Sequence, residues 1–134
     1  MAGTLILILK IAVILVTLLL VGSLLALARG RYVLHGRINV VVVLLTLAAL
    51  LGLEVIARLL YPDIFTDFLE RHNATQALWT HLAFSLPSAV LLPFMLLLGF
   101  RHKRSLHVGL GILFLVLWTG TFITGVFFLP HTAP

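Results

Sequence analysis

The stretch from Thr4 to Ala28, TLILILKIAVILVTLLLVGSLLALA, holds a single charged residue, Lys10. An α-helix needs about 20 apolar residues to cross about 30 Å of hydrocarbon, and this run is long enough to do so. Three further blocks of the same kind follow, Ile38 to Leu60, Leu78 to Phe100 and His107 to Leu129, and the segments between them hold nearly all the charge. That alternation is the signature of a chain that crosses a bilayer repeatedly. The expected fold class is therefore all-α: a polytopic membrane protein forming one transmembrane domain over residues 1–134, with helices about 4–28, 38–60, 78–100 and 107–129. The short connections make sequential helices antiparallel neighbours in an up-down-up-down four-helix bundle, with the first and third, and the second and fourth, on the diagonals.

Composition points the same way. Of 134 residues, 62% are hydrophobic and only 10% charged, and the mean hydropathy is +1.23, whereas soluble domains average about 25% charged residues. The net charge of +5 would suggest nucleic acid in a soluble protein. Here the basic residues cluster beside membrane spans, so orientation explains them and no nucleic-acid partner is expected. Arg29, Arg31 and Arg37 flank the first loop and Arg101, Lys103 and Arg104 fill the third, while the middle loop carries Asp63, Asp67 and Glu70 against Arg71. The positive-inside rule puts loops one and three in the cytoplasm and both termini outside. The first block lacks the basic leader of a signal peptide and its apolar run exceeds the usual length of about 7 to 15 residues, so an uncleaved first helix is expected.

There is no cysteine, and apart from Met1 the only thioether is Met95. The soft sulfur ligands favoured for copper(I) are thus almost absent, and any metal is expected to rely on imidazole or oxygen. Small residues at four-residue spacing, Gly22 and Ala26, Ala48 and Gly52, Thr121 and Gly125, are candidates for close helix packing. Pro87 and Pro93 are expected to bend the third helix, with Ser85 and Ser88 placed to satisfy freed backbone groups. Phe65 to His72 reads equally as an amphipathic turn on the outer surface or as a plain loop. No internal repeat is visible.

The histidines carry the chemical signal. At 100° per residue, His107, Gly111, Phe114, Trp118, Thr121 and Gly125 form one stripe down the fourth helix, and His35, Asn39, Val42, Thr46, Ala49 and Leu53 repeat its spacing on the second. These helices run parallel, so His35 and His107 start them at similar depth near the cytoplasmic surface, facing inward across the diagonal. Opposed imidazoles can ligate a haem iron axially, with nearby arginines pairing the propionates, or hold a copper or zinc ion. Singly, an interfacial histidine is as readily a helix cap in contact with lipid headgroups. His81 lies a turn inside the outer end of the third helix, roughly 25 Å from the cytoplasmic end, too far to share an ion with the other two. His72, His102 and His131 are expected to be solvated, with His72 or His131 available to complete an outer metal site. Lys10 and Glu54 stand at similar depth on antiparallel helices and are expected to form a structural ion pair, with Arg58 competing for Glu54. Tyr61 and Trp79 read as interfacial anchors, and the indole N–H of Trp118 needs a partner inside the bundle.

His107, Gly111, Trp118 and Thr124-Gly125 make a His-x3-Gly-x6-Trp-x5-Thr-Gly pattern. Together with Leu34-His35-Gly36-Arg37, the later Arg58, and Thr80-His81 with Ala83, this resembles the small bacterial membrane family typified by CtaM (YozB), over roughly Leu34 to Phe128. The chain departs from that family at Gly36, where arginine is usual, in lacking the methionine that often follows, and at Phe127-Phe128, where a tyrosine-leucine run is common. The resemblance implies a bacterial inner-membrane factor in maturation of haem–copper terminal oxidases. It implies an oxidase subunit or another respiratory membrane protein as partner, haem or copper as cofactor, and His35, His81 and His107 as functional positions. Two alternatives stay open: a b-type haem electron-transfer protein and a cofactor-free structural subunit of a respiratory complex. A hydrolase is not expected, because no nucleophile stands beside a histidine base in a constrained motif.

Overall fold

The computed structural model describes residues 2–132. Five α-helices follow one another: α1 (Ala2–Ala28), α2 (Tyr32–Val55), α3 (Ile64–Arg71), α4 (Thr75–Phe100) and α5 (Arg104–Ile123). Helices α2 and α5 each run on into a wider π turn, Ile56–Leu60 and Thr124–Phe128. Helices α1 and α4, and α2 and α5 with their π turns, are long and apolar enough to cross a membrane. The second, third and fourth spans each begin a few residues earlier than the apolar blocks suggest. Hydropathy marks the part that matches hydrocarbon, whereas the helix continues into the interface, where arginine stems lie along it and place their charge in water. His35 and His107 therefore sit inside regular helix, each as its fourth residue.

The bundle has the expected ring order. Hairpins α1–α2 and α4–α5 are tightly packed, and they meet along two looser seams, α2 against α4 and α1 against α5 with its π turn. Val16, Val42, Val43, Leu92, Phe114 and Trp118 form the central cluster, within which Val42 is 0% and Phe114 2% exposed. The same helices turn Leu18, Leu44, Val90, Ile112 and Val116 fully outward. An apolar shell around an apolar core is unstable in water and suits lipid, where every backbone group must be bonded within its own helix. Exposed Tyr32 lies at one end of the bundle and exposed Tyr61 and Trp79 at the other, consistent with aromatic belts.

The helix reversals share one device. Gly30 (φ +73°), Asn73 (φ +51°) and His102 (φ +55°) each take the left-handed conformation just after α1, α3 and α4. The next residue in each case bonds back five positions, Arg31 to Ala26 (2.8 Å), Ala74 to Leu69 (2.8 Å) and Lys103 to Leu98 (3.0 Å), closing a Schellman motif that occupies the last helical carbonyls. At the basic end the two turns are copies of each other. A shift of 72 positions, from 35 to 107, carries Arg29, Gly30, Arg31 and His35 onto Arg101, His102, Lys103 and His107. The two hairpins are thus related by an approximate twofold axis along the bundle, a parallel repeat that the residue identities conceal. Lipid-facing positions accept any large apolar residue, so only the turn and its hydrogen bonds preserve the relationship.

Between the hairpins, Phe65 to Arg71 lies in a short helix that His72 caps, the amphipathic alternative. Phe68 of α3 is buried with Ala2 and Ile6 of α1, with Leu129 packed alongside. Helix α4 runs unbroken through Pro87 and Pro93. Of the small-residue pairs, Thr121 and Gly125 are buried and so is Ala26, but Ala48 and Gly52 are exposed. A Cβ at Gly22 or Gly52 would meet nothing. Close approach is made by Gly125 of the third pair, whose Cβ would lie 2.9 Å from the His81 ring, and by Gly120, outside the pairs, whose Cβ would fall on the Phe84 ring.

Candidate metal centre

His35 and His107 face each other across the α2/α5 diagonal, with ring centroids 6.4 Å apart and planes at 90°. Their equal depth follows from the repeated turn, since each main-chain N–H makes the first bond of its helix, His35 to Arg31 and His107 to Lys103, both at 3.0 Å. Each ring is then held from the preceding helix. The Nδ1–H of His35 donates to the Ser23 carbonyl at 3.0 Å and that of His107 to the Met95 carbonyl at 2.8 Å, in both cases twelve residues back along the chain. A carbonyl only accepts, so in each ring the hydrogen belongs to Nδ1 and the lone pair to Nε2. Gly99 makes the second contact possible, because a Cβ there would stand 3.3 Å from the His107 ring.

Anchoring of one imidazole nitrogen by a backbone carbonyl is the usual outer-shell arrangement of a histidine that binds metal through the other nitrogen. The centroid separation allows a shared ion once His35 Nε2 leaves the Asn39 amide. One ion held in line by two imidazole nitrogens at about 2.0–2.1 Å sets their centroids roughly 6–6.5 Å apart. Both rings line a cavity of about 220 Å3 with Ser23, Asn39, Met95 and Gly111 among its walls. Leu24, Leu27, Val108 and Ile112 also line it and are exposed, so its mouth lies at the seam between α1 and α5. Small-molecule pockets usually measure about 300–1,000 Å3. This space falls below that range and is large enough for a single ion.

The two halves differ at matched positions. Around His35, Ser23 Oγ lies 2.7 Å from Nδ1 and donates to Asn39 Oδ1 at 2.6 Å, while Asn39 Nδ2 donates to Nε2 at 3.2 Å. This closed ring of bonds occupies the lone pair of His35. Positions 23 and 39 correspond to Met95 and Gly111 in the other half, where Met95 Cε would be 3.6 Å from a Cβ at Gly111. No comparable bond reaches Nε2 of His107 among the described residues. Asn39 was legible on the histidine stripe of α2. Ser23 was not singled out, and Met95 was noted only as a lone thioether and discounted as a ligand, although their shared spacing of twelve before each histidine is the signal that finds them.

His81 does not join this centre. Its Nδ1 bonds Thr124 Oγ1 at 3.0 Å, and Thr124 lies about 25 Å along α5 from His107 at the helical rise. Ser88 and Thr121 continue that polar seam, with their hydroxyls 3.3 Å apart. His72 and His131 line a separate cavity of about 530 Å3 at the end that carries the termini. The two ring nitrogens of His72 lie 2.8 Å from the Phe68 carbonyl and 2.7 Å from the Thr132 carbonyl. Among the described residues no group of three or more histidine or acidic side chains could hold an ion at either end of the bundle.

The expected Lys10–Glu54 pair does not form either. Lys10 is buried, and its ammonium donates to His131 Nδ1 at 2.9 Å, whereas Glu54 pairs with Arg58 one turn further along α2, both side chains being exposed. Equal depth did not suffice, because Lys10 stands on the face of α1 turned toward the chain's end and Glu54 on the outward face of α2. Trp118 does find its partner, donating to Thr17 Oγ1 at 3.0 Å. In comparisons with protein-family models, curated proteins and solved structures, nothing matches this chain.

Proposed function

We propose that this protein is a membrane-embedded metal-handling factor of haem–copper oxidase maturation, which holds copper between His35 and His107 before passing it to an oxidase subunit. The observation that carries the reading is the pair of imidazoles 6.4 Å apart, each anchored through Nδ1 to a backbone carbonyl. The resemblance of Leu34 to Phe128 to the CtaM/YozB pattern supplies the oxidase. The cavity of about 220 Å3, below the usual range for small-molecule pockets of about 300–1,000 Å3, supports copper over haem. Basic residues around the same end of the bundle support a cytoplasmic-leaflet site in a bacterial inner membrane, with both termini outside.

Two imidazoles form an incomplete coordination shell, which suits a site that must release its ion. When bound, copper supplies only its affinity for an acceptor site. The chain's residues orient two nitrogens, exclude water with an apolar wall, and open a lateral mouth toward a membrane partner. Labile loading predicts substoichiometric copper by elemental analysis of detergent-purified protein, with no reduced α-band in its absorption spectrum. His35→Ala and His107→Ala each abolish copper retention while the protein stays membrane-inserted. In cells lacking the protein, the terminal oxidase is expected to retain haem and lose copper. A red protein with unit haem would establish the electron-transfer alternative instead, and unchanged copper in both single variants would remove the site.

A further inference from the structure

Because the two hairpins are copies, the surroundings of one histidine show what occupies the same place beside the other. Ser23 stands twelve residues before His35 and its Oγ touches that ring at 2.7 Å. Met95 stands twelve residues before His107, bonds it through the same backbone carbonyl, and lines the same cavity. Its methyl Cε packs where Gly111, one turn beyond His107, has no side chain. The matched pair Ser23–Asn39 in one half is thus replaced by Met95–Gly111 in the other. A polar bracket around His35 becomes a thioether lining the cavity with His107.

We propose that Met95 is a third ligand of the His35–His107 centre and that its thioether makes the centre selective for copper(I). This rests on the reading of the histidine pair as an ion site. Thioether sulfur is a soft donor that favours copper(I), while zinc takes thiolate, imidazole and carboxylate ligands and normally needs four. Two imidazoles, one thioether and an apolar wall leave zinc(II) short of donors and charge compensation. Asn39 is a positioning residue, whose amide holds the His35 lone pair until an ion displaces it.

The test is an anaerobic titration of the full-length protein in detergent with copper(I) against a colorimetric copper(I) chelator, repeated with zinc(II). X-ray absorption is measured on selenomethionyl protein, which carries selenium only at Met1 and Met95. Expected are copper(I) binding at least tenfold tighter than zinc(II), a copper–selenium scattering path, and at least a tenfold loss of copper(I) affinity in Met95→Leu with zinc(II) affinity unchanged. The selenium path must survive removal of the first methionine's side chain by substitution with a start-proximal leucine after a cleavable leader. Copper(I) bound through nitrogen alone, with Met95→Leu at wild-type affinity, overturns the role of Met95 and leaves the histidine pair intact. Copper(I) affinity undiminished in His35→Ala and His107→Ala, or no binding by the wild type, removes the pair itself and Met95 with it.

Discussion

At the scale of single residues, direction matters more than position along the span. Lys10 and Glu54 have the same depth but different faces, so each finds a different partner. Glu54→Gln is therefore expected to change stability by less than about 1 kcal/mol, as for other exposed pairs one turn apart. A detergent melting temperature well below wild type would contradict that. Thr46 shows the opposite case, a hydroxyl buried without a hydrogen-bond partner on the face of α2 that carries His35. Leaving such a group unsatisfied costs about 1–3 kcal/mol, so Thr46→Val, which keeps the shape and removes the hydroxyl, should stabilise the bundle by about 1 kcal/mol. A lowered thermal midpoint in that variant would instead mean that the hydroxyl is bonded in the membrane. Histidine position was readable from the sequence, because an ionisable group in an apolar block is conspicuous. The carbonyls that hold the rings were not, because a carbonyl has no sequence identity.

At the scale of helices, glycine placement separates real contacts from patterns. Four-residue spacing singled out Gly22 and Gly52, which touch nothing, and missed Gly120, which lies under the Phe84 ring. A small-residue spacing says that a helix is able to approach a neighbour on that face. Whether a neighbour is there depends on how the hairpins are set against each other. Gly120→Ala is accordingly expected to cost about 1–3 kcal/mol through overpacking, and Gly22→Ala to be neutral or slightly stabilising. Equal thermal midpoints for the two variants would show that α4 and α5 are less closely seated than described. The length of the helices was also underread, since hydropathy ends where the hydrocarbon does and the backbone continues helical into the interface.

At the scale of the whole molecule, two copies of a helical hairpin enclose one centre. Each supplies an imidazole at the same height, and together they close a site that neither contains alone. The absence of native cysteine makes its orientation directly testable. Single cysteines introduced at Gly36 and Ser105 should react with a membrane-impermeant maleimide only after the inner face is opened, and one at Thr66 in intact cells. The reverse pattern would place the histidine pair at the outer leaflet and overturn the cytoplasmic-leaflet site proposed above. The chain by itself determined that four apolar helices cross a bilayer, in which order they lie and which end carries positive charge, because transfer of side chains between water and lipid depends on composition along the chain. Only the tertiary structure decided that His35 and His107 meet, that His81 stands apart, and that Met95 joins the cavity. Those are relations across the bundle, set by the rotation of each helix about its axis and by backbone groups common to every residue.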